Sequence, residues 1–497
     1  MNTKIFKSII CVAIALGGFS ACSDELDALP GQSKVDGNVV VDQKSAIVAL
    51  NGVYYVHAQC GTDNYDVKST KCSQNYELMP ADFAGTAVYY QGPYMYETHT
   101  PTMFSGTYGS YYNNLWVPNY ATVNAANALI KQVNEASDGW FEGSKKQEIL
   151  GEAYAMRALG EWNLLRWYGY SWDVNSPYGI IIRTEQSSML TLPQPRSSVK
   201  DSYDQILSDL DFAIQNAPTT NDNYYVSKWF AKGLKARVLM QRGQGSDYQD
   251  AASLCQDIIQ NGPYALEENV MDIFHVKGLS SQEVIFGIAP KENQTDVYES
   301  YFYRGEPQYN PTDNFKALFE GDPREGQMFY DCTSTAYYWD EKGDLIFYDA
   351  ISTAVCKHLV PGVMASNDVE ESQYQMRLTE IYLMRAEALA RTGNLSEAAT
   401  LLKTVLQHAG IEDLTGVDAA TSQEAMLQQI FNEAIRNLSF ECGLEHDLML
   451  RFPESITLQF NPVYAERKYD VLPFPTDEFK YNNALSETDQ NPGYAID

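Results

Sequence analysis

Positive charge is scarce in this chain of 497 residues: 35 lysines and arginines stand against 65 acids, a formal net charge of −30. Such a surface repels a phosphate backbone, so nucleic acid is excluded as a partner. The six histidines, His57, His99, His275, His358, His408 and His446, form no HExxH and no other tight metal-ligand spacing. There is no GxSxG elbow, no P-loop and no GxGxxG; Gly243-Gln244-Gly245 follows a helical pattern rather than a strand and reads as a turn. No CxxC occurs among the eight cysteines. Beyond residue 22 no apolar run approaches the ~18 residues of a bilayer span. Only 20% of residues are charged while 44% are hydrophobic, the composition of neither a disordered chain nor a multi-span membrane protein. What remains is a large globular body without a signature of catalysis.

The N-terminus carries an address. Lys4 and Lys7 precede an apolar stretch from Ile9 to Phe19, too short to span a membrane, and Phe19-Ser20-Ala21-Cys22 places small residues before a cysteine. The tetrad resembles a bacterial lipobox, which implies a signal peptide over 1–21, acylation of Cys22 and a lipidated tether over 22–42. Ser23-Asp24-Glu25 resembles the acidic tag that routes lipoproteins of Bacteroidetes to the outer face of the outer membrane. The expected location is therefore the outer membrane, facing the cell exterior, with the membrane reached through the lipid anchor only.

Once Cys11 leaves with the signal and Cys22 is lipidated, Cys60, Cys72, Cys255, Cys332, Cys356 and Cys442 remain. They read as mostly buried thiols, with Cys60 and Cys72 spaced to close one short loop. Asp63, Asn64 and Asp66 offer oxygens to a calcium ion but lack the Gly and Glu of an EF-hand loop. No cofactor or metal is expected beyond that one candidate. The adjacent acids Glu267-Glu268 and Glu370-Glu371 read as solvated surface.

The folded body is one composite domain over 43–497. Ile47, Leu50, Val53 and Tyr54 have helical spacing in a first helix from Gln43. Residues 57–114 are rich in Gly, Tyr, Thr and Asn and read as loop. Helices follow over Leu115–Ala136 and Ser144–Tyr168, the latter closed by Gly169 as a C′ residue. Ser198 and Asp201 match a capping box for a helix to Asn216, with two more helices at 226–242 and 247–261. From Gly262 to Gln373 the period lapses, apart from a short strand at Glu283–Ile288. Helices resume at 374–391, 395–409 and 422–450, with Thr421 and Glu424 as a further capping box. A weak repeat links Ala236, Gly243 and Ala251-Ala252 to Ala386, Gly393 and Ala398-Ala399, the logic of a tetratricopeptide hairpin. The expected fold class is mainly all-α: an irregular superhelix of such pairs over 115–261 and 374–451. A large loop-rich lobe over 57–114 and 262–373 carries a few short strands, the kind of segment in which surface recognition often lives.

Several blocks, in order, resemble the SusD/RagB family of surface lipoproteins. They begin with Trp116-x3-Tyr120, Ala126-Asn127, Glu152-Ala153-x2-Met156-Arg157-Ala158 and Tyr168-Gly169, followed by Tyr203-x2-Ile206-x2-Asp209-Leu210. Ala231-x-Gly233-Leu234-x-Ala236-Arg237, Asp322-Pro323-Arg324 and Arg377-Leu378-x-Glu380 continue the match, and Leu472-Pro473-x-Pro475 and Gln490-Asn491-Pro492-Gly493-Tyr494 close it. Glu433, Arg436, Glu441 and Asp447 fit the family's late helix, but Cys442 and Leu444 stand where a glycine and an arginine are usual.

The resemblance implies a non-catalytic lipoprotein that captures oligosaccharides on a ligand-facing lobe, here 57–114 and 262–373, and delivers them to a SusC-like TonB-dependent transporter. The alternatives are a peptide-capturing relative and a helical-repeat scaffold without a small ligand. A sugar stacks its C–H face on an aromatic ring while its hydroxyls need polar partners. Two loop clusters qualify: Tyr89, Tyr90, Tyr94 and Tyr96 near Asp82, and Tyr301, Tyr303, Tyr309, Tyr337, Tyr338 and Trp339 near the acidic turn at Asp340. Trp339 is the leading candidate, whereas Trp116, Trp162, Trp167 and Trp229 lie on expected helices and read as core.

Overall fold

The computed structural model describes residues 39–60, 74–89, 98–101, 115–290, 296–303, 305–363 and 366–496. Cys22, the signal, Cys72, the Asp63-Asn64-Asp66 group, Tyr90, Tyr94 and Tyr96 lie outside them. Helix α1 (Gln43–Ala58) starts where Asp42 accepts the Ser45 N–H at 2.7 Å, and short α2 (Met79–Ala84) follows. Then come α3 (Trp116–Glu135), which packs on α1, and α4 (Lys145–Tyr168), α5 (Val199–Asn216), α6 (Lys228–Arg242) and α7 (Asp247–Asn261), each packed on the preceding helix. Ser198 caps α5, accepting the Asp201 N–H at 3.0 Å. After the lobe come α8 (Leu378–Arg391), α9 (Leu395–His408), α10 (Gln423–Leu438), α11 (Leu444–Arg451), α12 (Glu454–Phe460) and α13 (Thr476–Tyr481).

The weak repeat has a spatial meaning. Pairs α6/α7 and α8/α9 both turn on a left-handed glycine, Gly243 at φ 59° and Gly393 at φ 88°. Although 150 residues apart in sequence they are neighbours, because α8 packs on both α7 and α9. Ala236 and Ala386 are fully buried, their small side chains permitting close helix approach.

Four local expectations change. Gly169 has an extended backbone (φ −113°) rather than a left-handed one; a Cβ there would crowd the Leu165 side chain and the Leu165 and Tyr178 carbonyls, so glycine serves close approach. The cap of α10 is Ser422, which accepts the Ala425 N–H at 3.1 Å, not Thr421. Residues 373–377 are a strand rather than the start of α8, because their pairing partner lies far upstream in sequence. The expected helix over 422–450 breaks at 439–443, where Phe440, Cys442 and Gly443 all adopt positive φ.

The strands form four antiparallel pairs: β1 (Ala87–Tyr89) with β5 (Tyr309–Pro311), β2 (Val284–Ile288) with β8 (Gln373–Arg377), β3 (Phe302–Tyr303) with β4 (Glu306–Pro307), and β6 (Phe329–Trp339) with β7 (Leu345–Val355). The β2/β8 pair is buried throughout and ties the lobe to α8. The β1/β5 pair joins the two loop-rich segments into one lobe, reinforced by Thr312 Oγ1 donating to the Gly85 carbonyl at 2.7 Å. With 11 residues in each strand, the β6/β7 hairpin is far longer than the short strands expected.

The acid pairs are the largest surprise in the lobe. Glu267, Glu370 and Glu371 are buried rather than solvated. Glu370 accepts the Val360 N–H at 2.8 Å and the Asn367 N–H at 2.7 Å, Glu371 accepts the Val297 N–H at 3.1 Å, and Glu267 pairs with Lys277 and the Ser281 hydroxyl. In loops without a helix or sheet ladder, buried backbone donors need such carboxylates. Only Glu268 of the four is exposed.

Candidate functional site

The candidate site is the β6/β7 hairpin. Its turn, Asp340-Glu341-Lys342-Gly343-Asp344, is held by the Asp340 carboxylate accepting the Lys342 and Asp344 N–H groups at 2.9 and 2.8 Å, with Gly343 at φ 83°. Trp339 pairs with Leu345 and Tyr337 with Phe347. Trp339 is 67% and Phe347 63% exposed, and Leu345 and Ile351 are exposed on the same alternation of the ladder. Tyr337 and Tyr338 occupy the strand positions before Trp339. The base of the hairpin rests on β4 and β5, which places it beside the β1/β5 pair.

Not every expected residue joins this surface. Tyr301 is 2% exposed, with its hydroxyl donating to the Glu77 carboxylate at 3.1 Å. It is core, because a phenol packed between lobe and body needs its polar tip satisfied. Tyr303 takes its place in the β3/β4 pair. Asp82, on α2, lines a cavity of about 260 Å³ with Val88, Thr98, Thr312, Asn314 and Phe460. Thus the Asp82 segment and the hairpin segment, more than 200 residues apart, share one lobe, while Trp116, Trp162, Trp167 and Trp229 are buried as expected.

A third aromatic group went unread in the sequence. Tyr54, Tyr55, Tyr224, Tyr225 and Phe286 line a cavity of about 240 Å³ with Asn51 and His57. The Tyr54 and Tyr225 rings meet edge-on at 5.0 Å, and Tyr224 donates to Asp222 at 2.9 Å. Beneath them Tyr54 donates to Glu152 at 2.6 Å, and burial pushes the Glu152 carboxyl up to about 7. Burial also pushes His57 down to about 4, so its ring is neutral. The available signal was Asn221-Asp222-Asn223-Tyr224-Tyr225, two aromatics in a polar loop; Tyr54 was hidden by its fit to the apolar stripe of α1.

Two family models match the chain. One, described as the SusD family, covers residues 350–495; the other, described as "Starch-binding associating with outer membrane", covers 29–240. The chain belongs to the SusD/RagB family. A SusD-like protein of Bacteroides ovatus is 26% identical over 181 residues, 35% of this chain and 32% of that protein. SusD-like protein P38 of Formosa agariphila is 22% identical over 325 residues, 58% of this chain and 61% of its own length. The chain thus spans about a third and three fifths of these two relatives. Among solved structures, a SusD superfamily protein from Parabacteroides distasonis aligns at TM-score 0.71 with 19% identity, covering 91% of this chain and 99% of that one. A putative sugar binding protein from Bacteroides vulgatus aligns at 0.67 with 21% identity, covering 92% and 100%. The likenesses to solved structures establish the mainly helical fold. Among the described residues no helix is long and apolar enough to cross a membrane, and no group of three or more His, Cys, Asp or Glu is arranged to hold a metal.

Residues of the SusD/RagB blocks tie segments distant in sequence together through buried ion pairs and hydrogen bonds. Arg157 binds Asp209 at 2.6 and 2.7 Å and Asn127 at 2.8 Å; Arg237 binds Glu380 at 2.8 Å; Arg324 binds Glu433 at 2.9 Å; Arg377 binds Glu283 at 2.8 Å and Glu441 at 2.7 Å. Near the C-terminus Asn491 donates to the Tyr168 carbonyl at 3.0 Å. The departure at Cys442 keeps the left-handed backbone, φ 50°, without glycine. Arg166 anchors it, donating to the Cys442 carbonyl and pairing with Asp447 at 3.0 Å, while the Cys442 thiol faces the Gln375 Oε1 at 3.1 Å.

Proposed function

We propose that this chain is a non-catalytic capture protein, anchored through Cys22 to the outer face of the outer membrane, that binds neutral oligosaccharides and hands them to a SusC-like TonB-dependent transporter. The observation that carries the reading is Trp339, a large ring left in solvent at the tip of the β6/β7 hairpin, with Phe347 two positions along on the same face and Asp340 next to it in the chain. Exposed aromatics cost free energy in water, and a pyranose C–H face is the surface they match. The sum of −30 charges disfavours strongly anionic glycans. Family membership and the starch-binding description support the ligand class, and the lipobox supports the anchor.

Calorimetry of the body lacking residues 1–22 against a panel of glycans and peptides tests this. A neutral oligosaccharide is expected to bind weakly, since an open platform buries little of its ligand. Trp339→Ala is expected to weaken it about 10-fold or more, the loss of one stacked ring. Peptide binding with silence on every glycan would overturn the reading.

A further inference from the structure

The tyrosine-walled cavity lies outside the hairpin surface assigned to glycan capture, and its walls come from three other elements. Tyr54 and Tyr55 belong to α1, Tyr224 and Tyr225 to the loop before α6, and Phe286 to β2. Hydrogen bonds pin the loop in place. Asn221 donates to the Val226 carbonyl at 3.0 Å, the Val226 N–H donates to the Tyr54 hydroxyl at 2.8 Å, and the Gly287 N–H donates to the Asn223 carbonyl at 2.8 Å. Walls held this way lose little freedom when a guest enters.

Shape and charge together select that guest. The Tyr54 and Tyr225 rings are inclined at 73°, Tyr224 and Tyr225 at 54° with centroids 4.8 Å apart, and Tyr54 and Phe286 at 57°. A pyranose stacks flat on one ring face, whereas steeply inclined rings surround a compact, rounded group. At about 240 Å³ the cavity lies below the ~300–1,000 Å³ of pockets for drug-sized ligands, so the guest is small. The charged groups acting on Tyr54, Tyr224 and Tyr225 are Glu152 and Asp222, both acids. Among the described residues the lining contains no Lys or Arg, and His57 is neutral, with no hydrogen-bond partner for its Nε2.

The bases on the surrounding elements are engaged elsewhere. Lys145 on α4, which acts on Glu152, pairs with Glu148 at 2.6 Å; Lys228 on α6 lies over the Trp229 ring at 4.6 Å; Lys44 stands near Asp42 at the start of α1. The adjoining segments 61–73 and 291–295 carry equal numbers of acids and bases, Asp63 and Asp66 against Lys68 and Lys71, and Glu292 against Lys291. They leave the sign unchanged.

We propose that this cavity binds an organic cation with a compact alkylammonium head, of the quaternary trimethylammonium kind, at a site separate from the glycan-binding hairpin. The negative faces of the phenol rings attract the charge, and Glu152 and Asp222 add to that attraction. The −30 charge of the whole chain concentrates cations at its surface. An anionic guest is repelled by the same acids. A neutral apolar guest fills the space but gains nothing from them.

The test is saturation-transfer NMR on the full chain in an uncharged polyoxyethylene detergent, with choline as the probe and its neutral isostere, in which carbon replaces the nitrogen, as the control. Choline is expected to bind with a Kd of about 1 mM, and the isostere about 10-fold more weakly. Tyr224→Ala removes a ring at the rim and is expected to weaken choline about 5-fold or more with the melting temperature unchanged. Tyr224→Phe keeps the ring and is expected to bind choline as wild type does. Silence on choline overturns the assignment, as does equal binding of choline and the isostere, or an unchanged affinity in Tyr224→Ala. A neutral monosaccharide that binds to wild type and is lost in Tyr224→Ala also overturns it, making the cavity a second sugar site. The glycan reading of the hairpin stands or falls separately, on Trp339.

Discussion

Arg157 and Arg237 in the helical body, and Arg324 and Arg377 where the lobe meets it, are nearly inaccessible, each meeting carboxylates at 2.6–3.1 Å, whereas in the β6/β7 hairpin Trp339, Phe347 and Ile351 stand in solvent. The usual arrangement of charge outside and apolar groups inside is inverted in both places, for different reasons. A buried ion pair costs desolvation but allows few alternatives, so each arginine selects one packing of segments distant in sequence. An exposed ring is tolerated where a ligand covers it. The residues that recur as family blocks therefore report on assembly, while the residues expected to bind belong to no block.

That contrast can be broken most strongly at the buried ion pairs. Arg377→Ala leaves Glu283 and Glu441 buried with one cation fewer, and a loss of about 3–5 kcal/mol is expected, read as a large drop in melting temperature. Gly151→Ala comes next: a Cβ there overlaps the Ala217 backbone, which has no rotamer to yield, and about 1–3 kcal/mol should be lost in denaturant titration.

A gentler probe uses pH. Burial pushes the Glu445 carboxyl up to about 8, above the 4.5 of the unfolded chain. The folded state therefore keeps that proton longer, so this contribution is full below about pH 4.5 and declines as pH rises toward 8. Glu445→Gln is expected to match wild type at pH 4 and to exceed its melting temperature at pH 8; an unchanged gap between the two would refute the assignment. Glu433 behaves oppositely. Burial alone would raise it, but Arg324 and Arg436 outweigh burial and hold it at about 2, so its contribution is present above 4.5 and lost as pH falls toward 2. The smallest stability effect belongs to the hairpin: Trp339→Ala should change unfolding free energy by less than about 0.5 kcal/mol while weakening glycan binding.

Much of the body was legible because helical periodicity, capping serines and small residues are local signals. Residues 199–216 and 395–408 formed helices close to their expected bounds, and the Ala236/Ala386 repeat proved to be a real stacking of hairpins. The lobe was legible only as an absence of period. Glu370 and Glu371 read as surface because nothing local tells a solvated acid from one that satisfies buried backbone donors. The tyrosine pocket stayed hidden because Tyr54 and Tyr225 are separated by 171 residues and meet only across packed elements.

The sequence by itself determined most of the helical pairs and the SusD/RagB resemblance, since each is carried by spacing along the chain. Only the tertiary structure decided which arginine meets which acid, that Tyr301 is core while Trp339 stands in solvent, and that Met189 and Leu190 project from a hydrogen-bonded turn. Burial is a property of neighbours in space, and a side chain's solvent exposure is set by elements hundreds of residues away.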